Sequence, residues 1–599
     1  MGVKASIIAD PLAALKQARQ LVGSDPDAAA QQARRLLESH PGDPSVLRVL
    51  GAALRKLGQT SEAAKVEQEA VEASTRSPAH REAARAIAKG EKQRAVAILE
   101  AIIARDESDV VALVMLGLQL STDGEYELAG PVLRRAVEAG PSDLQARLAL
   151  GEHLLRAKRA TEALAVLDEF EGEAAASANI LSLRANILRD LGRQEEEVEL
   201  LEKLNGADER VERYSIRLGH AYRNLGRTPE AVAAYRRVID KVPFDGTSWW
   251  ALANLKTVKF DDADIAAMEE ALSLPNAPDM NRVRLHFALG KALEDRQETE
   301  RSFEHYDAGN RIHNLATTYH PDRIAKWVDQ AETDFASLFS AGVADAGCQA
   351  TDPIFVIGLQ RSGSTLVEQI LDSHPVIEGT AELTELPAIA RRMGEIAHRR
   401  GIAFNELLRQ QSDDQLRGLG EEYLERTRVH RVTDKPFFTD KMPNNWVYTG
   451  LIRKILPNAK IVDVRRHPLD CCFSNWKQLY GRGLEHSYSM ENMGRYYADY
   501  VRLMRLVDRV QPGKVHRVIY ERLVEDTEGE IRRLLDYLDL PFDRACLDFH
   551  ANARSVRTIS AEQVRQPINR RGIGQWKPYE RWLAPLKTAL GGALENWDQ

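Results

Sequence analysis

Two groups of residues in the second half of the chain have the types and spacing of phosphate chemistry. The first is Gly358-Leu-Gln-Arg-Ser-Gly-Ser-Thr365, placed between the apolar run Pro353-Ile-Phe-Val-Ile and the helix-compatible run Leu366–Ser373. A strand, a glycine-rich turn and a helix N-terminus together aim free backbone N–H groups and the helix dipole at one spot, which makes an anion site. The spacing nearly fits G-x-x-x-x-G-K-[ST], but Ser364 stands at the lysine position and Arg361 supplies the loop's charge. A nucleoside triphosphatase without that lysine loses its main cation on the β/γ-phosphates. The loop therefore suits a phosphate-bearing nucleotide that is not used as a triphosphate. The second group follows the strand-like run Lys460-Ile-Val-Asp-Val464 and consists of Arg465-Arg466-His467-Pro468 and a helix-like stretch, Leu469–Tyr480. In an open parallel sheet, ligands bind at the carboxyl ends of strands, where Arg466 is placed for a fork contact to another phosphate. Ser474 lies about two helical turns further on and can add a hydroxyl donor.

These groups need a parallel α/β domain to position them, and that domain occupies only the second half. Upstream, small residues recur every 34 positions, at Gly117, Gly151, Ala185, Gly219 and Ala253. Large residues follow 16 positions after four of them, at Leu133, Leu167, Leu201 and Tyr235. Gly51, Ala83 and Gly290 extend the pattern in both directions. The period resembles the tetratricopeptide repeat over about residues 9–310. Two antiparallel helices pack closely where Gly or Ala removes bulk, and one such pair cannot bury its apolar face, so repeats stack into a superhelix with a concave groove. The expected architecture is an all-α repeat superhelix over residues 1–340, a small polar border at 341–352, and an α/β P-loop-like domain with a parallel sheet over 353–599. About 250 residues in that last part are enough to fold unaided.

Composition narrows the classes. Of 599 residues, 44% are hydrophobic and 28% charged, an ordinary globular mixture that excludes disordered and collagen-like chains. The net charge of −8 argues against a nucleic-acid coat, and no nucleic-acid partner is expected. The charge is uneven, −11 over residues 1–350 and +3 over 351–599. No run approaches the length that crosses a bilayer, and the N-terminus lacks a signal-peptide core, so a cytoplasmic protein without a membrane partner is expected. The four cysteines, Cys348, Cys471, Cys472 and Cys546, fit neither a disulfide framework nor a zinc site. His467 with Cys471-Cys472 lacks a second ligand pair at finger-like spacing, so no metal is expected.

The loop Gln360-Arg-Ser-Gly-Ser-Thr365 resembles the 5′-phosphosulfate loop of sulfotransferases, and Arg466 with Ser474 resembles their 3′-phosphate pair. The tyrosylprotein sulfotransferases are nearest. Their glutamate after His-Pro falls on Glu382, their Asn-Lys-Asp-Pro resembles Asp440-Lys441-Met442-Pro443, and their Tyr-Glu resembles Tyr520-Glu521. Their cofactor-covering segment resembles Ser560-Ala-Glu-Gln-Val-Arg-Gln-Pro-Ile-Asn569. The resemblance spans about 353–577 and implies 3′-phosphoadenosine 5′-phosphosulfate (PAPS) as co-substrate. It implies Glu382 as general base, Lys441 at the leaving oxygen or sulfuryl group, and Arg361 at the 5′ end. The nucleotide contacts it implies are Arg361, Ser362, Gly363, Ser364, Thr365, Arg466, Ser474, Tyr520, Ser560, Gln563, Asn569, Arg571 and Lys577. Departures exist: the family's arginine four residues after the phosphate-site serine is Gln478 here, with Lys477 beside it, and a usual lysine near the end of the covering segment is Gln575. Neither a membrane anchor nor disulfides appear.

The implied activity is sulfuryl transfer to a hydroxyl, tyrosine of a protein or peptide presented by the repeats being the leading acceptor. The alternatives are sulfation of a small molecule or glycan, a P-loop nucleotide kinase, and a non-catalytic repeat scaffold; a homodimer formed through the array also stays open.

Overall fold

A computed structural model of the chain describes residues 10–170, 175–207, 211–275, 277–339, 346–481, 483–552 and 564–599. It divides into two compact units, Met1–Leu200 and Leu201–Gln599.

The first unit consists of helix pairs, among them Pro44–Lys56 with Thr60–Arg76, Val110–Asp123 with Tyr126–Ala139, and Leu144–Arg156 with Ala160–Asp168. Aspartates start several of these helices: Asp43, Asp109 and Asp143 each accept a hydrogen bond from a first-turn N–H. The 34-residue period has a direct steric basis. A Cβ on Gly117 would collide with Leu133, and one on Gly151 would meet Leu183 at 3.2 Å and Leu167 at 3.5 Å. The residue 16 positions on thus fills the space that the small residue vacates. A buried polar knot ties three repeats together. Arg48 bonds Asp106, Asp109 and Ser74, while His80 bonds Asp109 at 3.1 Å.

The second unit begins with helices of the same kind, Val211–Asn224, Thr228–Lys241, Gly246–Leu255, Asp262–Ser273, Asp279–Asp295 and Thr299–Leu315, then Pro321–Leu338. The steric rule continues, since a Cβ on Gly219 would strike Tyr235 and one on Gly290 would stand 2.8 Å from Tyr306. The chain then enters a five-stranded, all-parallel sheet: β1 (Pro353–Gly358), β2 (Ile377–Ala381), β3 (Phe437–Asp440), β4 (Lys460–Arg465) and β5 (Val515–Ile519), in spatial order β2-β3-β1-β4-β5. Every residue of β1 is buried, which is why it reads as an unbroken apolar run.

Of the border expected at 341–352, residues 341–345 lie outside the described residues. Beyond them, Cys348 N–H donates to the Ile455 carbonyl at 2.8 Å. The apolar core crosses the change in texture without a break. Val283, Phe287, Val328, Phe335 and Leu338 share one cluster with Phe355, Ile357, Trp446 and Ile461. Phe303 stacks on Trp582 with ring centres 4.6 Å apart, and Asn310 donates to the Trp476 carbonyl at 3.0 Å. The core thus reaches across the expected border, and a chain beginning at 353 would leave this cluster open to water. The helices 279–338 supply one wall of the sheet domain's own core, a long-range fact that local texture does not reveal.

Candidate active site

All five strands deliver a side chain at their carboxyl ends. Glu382 follows β2, Lys441 follows β3, the loop 359–363 follows β1, Arg466 follows β4 and Tyr520 follows β5. Ala381 and Asp440 are register partners, so the residues after them, Glu382 and Lys441, come side by side. The Lys441 ammonium is 2.5 Å from Glu382 Oε1. Lys441 is buried, 1% of its side chain exposed, whereas Glu382 keeps 45% exposed and is open to an incoming molecule. The neighbouring glutamates are occupied. Glu378 accepts from the Val432 and Thr433 N–H groups at 2.6 and 3.0 Å, and Glu385 pairs with His430 at 3.1 Å. Asp440 accepts from the Tyr423 hydroxyl at 2.8 Å, and burial drives its carboxyl well above the usual range. Glu378, Glu385 and Asp440 thus have partners other than Lys441.

The phosphate loop closes with Gly363 at φ +105°, the N-cap of the helix Ser364–Asp372. A side chain there would sit 2.7 Å from the Tyr520 ring, so glycine is required twice over. Arg361 also adopts a left-handed backbone, φ +65°, and its guanidinium bonds Ser474 Oγ at 3.1 Å. Burial, with Arg466 alongside, lowers the Arg361 guanidinium from its ordinary value. Arg466 donates to the Arg361 carbonyl at 2.8 Å and to the Gly572 carbonyl, and lies over the Tyr520 ring at 5.2 Å. The Gly574 N–H donates to Asp470 at 2.7 Å. The segment 569–575 is thereby seated on the β4 side of the site.

A cavity of about 420 Å³ runs along this wall. Arg361, Gly363, Ser364, Thr365, Arg466, Ser474, Tyr520, Asn569 and Arg571 all line it. Ser362, Lys577, Glu382 and Lys441 do not; Lys577 is exposed, and Ser362 is buried behind the loop. Ser560 and Gln563 lie outside the described residues. The Tyr480 hydroxyl donates to Asn475 at 2.7 Å, and burial raises it far above the ordinary value, against the charge of Arg361 and with that of Glu382. Among the described residues, Ser362 Oγ and Arg466 Nε are buried without a hydrogen-bond partner. A phosphate-bearing ligand fits this donor set, with cations on one wall and backbone N–H groups at the helix start.

The departing positions face the repeat helices. Lys477 pairs with Glu294 at 2.6 Å, and Gln478 donates to Asn254 at 3.2 Å. Cys471 and Cys472 are buried beneath the loop, where burial raises the Cys471 thiol to about 12. Sequence reasoning missed the contribution of the repeat helices to the cavity wall, namely Trp250, Lys256 and Lys291. No local signal marks them, because they arrive by packing.

The model of the Sulfotransferase family matches residues 353–544. Residues 353–544 are a sulfotransferase domain. Tetratricopeptide repeats match at 15–78, 80–143, 114–179 and 216–281, leaving the degenerate stretch around Ala185 uncovered. An uncharacterized protein of Aquifex aeolicus (strain VF5) is 26% identical over 528 residues, 80% of this chain and 69% of that protein. Protein-tyrosine sulfotransferase A of Caenorhabditis elegans is 26% identical over 254 residues, 39% of this chain and 63% of that protein. Among solved structures, the sulfotransferase domain from the curacin biosynthetic pathway is 18% identical with a TM-score of 0.26, covering 39% of this chain and 98% of that one. The sulfotransferase domain's parallel sheet and the helical repeats are the two parts of the expected fold class. Among the described residues, no helix is long and apolar enough to cross a membrane.

Proposed function

We propose that the chain transfers a sulfuryl group from PAPS to a hydroxyl, tyrosine of a protein or peptide, in the cytoplasm. The observation that carries this reading is the Lys441–Glu382 pair set beside a phosphate loop that has no Walker lysine. PAPS supplies the activated sulfuryl group and the phosphates by which it is held. Arg361, Ser364, Thr365 and the helix N-terminus hold the 5′ end, with Ser362 behind them. Arg466 and Ser474 hold the 3′-phosphate. Tyr520, Asn569 and Arg571 complete the nucleotide's walls. Glu382, the exposed member of the pair, takes the proton from the acceptor hydroxyl. Lys441, fixed by its ion pair, is the cation for the charge that gathers on the leaving oxygen.

The tyrosine acceptor draws support from the names of the relatives matched over the sulfotransferase domain. The first unit offers a second feature, a groove of about 510 Å³ lined by polar side chains such as Gln145, Glu152, Asn179 and Asn186. An extended peptide can satisfy its backbone groups on such a surface. The test is incubation of the full chain with labelled PAPS and lysate fractions, followed by digestion of the labelled species. Label recovered as tyrosine O-sulfate is expected. Label on a glycan or small molecule would overturn the acceptor, and absence of any transfer would overturn the activity.

A further inference from the structure

The cavity's cations do not all come from the sulfotransferase domain. The helix Gly246–Leu255 ends at Lys256, whose backbone is left-handed at φ +63°. Glycine usually occupies that position, because a Cβ makes it unfavourable. The conformation directs the chain so that Lys256 lines the same cavity as Arg361, Ser364 and Arg466. Its lysine neighbours on that wall are ion-paired: Lys291 and Lys259 share Asp295 at 2.5 and 2.8 Å, and Lys477 pairs with Glu294 at 2.6 Å. Glu294 is further engaged by the Tyr306 hydroxyl at 3.0 Å. No carboxylate forms an ion pair with Lys256 among the described residues.

We propose that Lys256, delivered by a repeat helix, binds the anionic groups of the sulfuryl donor, so that the last repeats complete the donor site. This rests on reading the cavity as the PAPS site. A phosphate monoester carries about 1.5–2 negative charges at neutral pH, so a donor with a 3′-phosphate and a phosphosulfate leaves no excess of positive charge on Arg361, Arg466 and Arg571, and a further cation is accommodated. Burial and the charges of Arg361, Lys291 and Lys477 outweigh the attraction of Glu294 and disfavour the Lys256 ammonium, a conflict that an anion in the cavity relieves.

The experiment is calorimetric titration of the full chain with 3′-phosphoadenosine 5′-phosphate, on wild type, Lys256→Met, Lys256→Arg and Arg466→Ala. Lys256→Met should weaken binding at least about tenfold and Lys256→Arg by less than about threefold. The ligand-free Lys256→Met protein should melt no lower than wild type, because removing an unpaired cation removes repulsion; a merely structural lysine would lower the melting temperature. Lys256→Gly, which suits the left-handed backbone, carries the same expectation should the methionine variant fail to fold. Unchanged affinity in Lys256→Met while Arg466→Ala loses binding would overturn the role of Lys256 and leave the donor reading intact. No binding by wild type would overturn both.

Discussion

Glu378, Glu382 and Glu385 lie within eight consecutive residues, yet the fold gives them three different duties. Glu378 caps a loop through two N–H groups, Glu385 pairs with His430, and Glu382 alone of the three is partly exposed beside Lys441. Glu382→Gln should therefore keep nucleotide affinity while turnover falls about 10²–10⁴-fold, since basicity is lost at nearly constant shape. Wild-type turnover in Glu382→Gln, with loss in Glu378→Gln or Glu385→Gln, would show the base to be misassigned. Arg466 admits a second residue-level prediction. It lines the cavity, its terminal nitrogens are held by the Arg361 and Gly572 carbonyls, and its buried Nε has no partner among the described residues. Arg466→Ala should weaken 3′-phosphoadenosine 5′-phosphate at least about tenfold and leave adenosine 5′-phosphate nearly unchanged. Equal losses on titration with both nucleotides would place Arg466 elsewhere than at the 3′-phosphate.

Among the elements, the helix pairs of the first unit depend on close approach at glycine and on the Arg48 knot. Burial works to raise Asp106, but the charge and hydrogen bonds of Arg48, with those of Ser45 and Ser108, outweigh it and bring the carboxyl down to about 2. A carboxyl depressed in the folded state stabilises it fully above the ordinary carboxylate value and loses that contribution as pH falls through the folded one. The first unit should accordingly lose about 2 kcal/mol from this group as pH drops from ~4 to ~2. Denaturant melts of wild type and Asp106→Asn across that range check it: the variant should show a flatter dependence. Parallel curves would show that Asp106 is not the group responsible.

At the scale of the whole chain, the sulfotransferase domain lies within one compact unit, Leu201–Gln599, together with the helices that share its core. A truncated chain starting near Gln349 lacks Phe303, Phe335 and Lys256 and exposes the rings of Trp476 and Trp582. It should melt about 10 °C or more below the chain starting at Leu201, or aggregate, and should not hold the nucleotide. The chain starting at Leu201 should bind it as the full chain does. With a protein acceptor, loss of the first unit should raise KM and leave kcat little changed, because the binding removed is remote from the chemistry. Identical KM and kcat in full-length and Leu201-starting chains would remove the first unit from acceptor binding.

The repeat period was legible in the sequence because each small residue excludes a side chain at one fixed separation, Gly117 with Leu133 and Gly219 with Tyr235. The phosphate loop was legible because its strand, turn and helix start are consecutive; β1 ends at Gly358 and the helix begins at Ser364. Arg466 followed from the strand before it. Glu382 and Lys441, by contrast, are 59 positions apart. The sheet brings them together by pairing Ala381 with Asp440 in register. Lys256 lies still further from the phosphate loop in sequence and carries no motif. Its place in the cavity wall comes from packing of the helices 246–338 onto the sheet, where burial of apolar side chains fixes position and composition alone does not. Local sequence determines which backbone shapes form; which charges meet across them is set by the tertiary core.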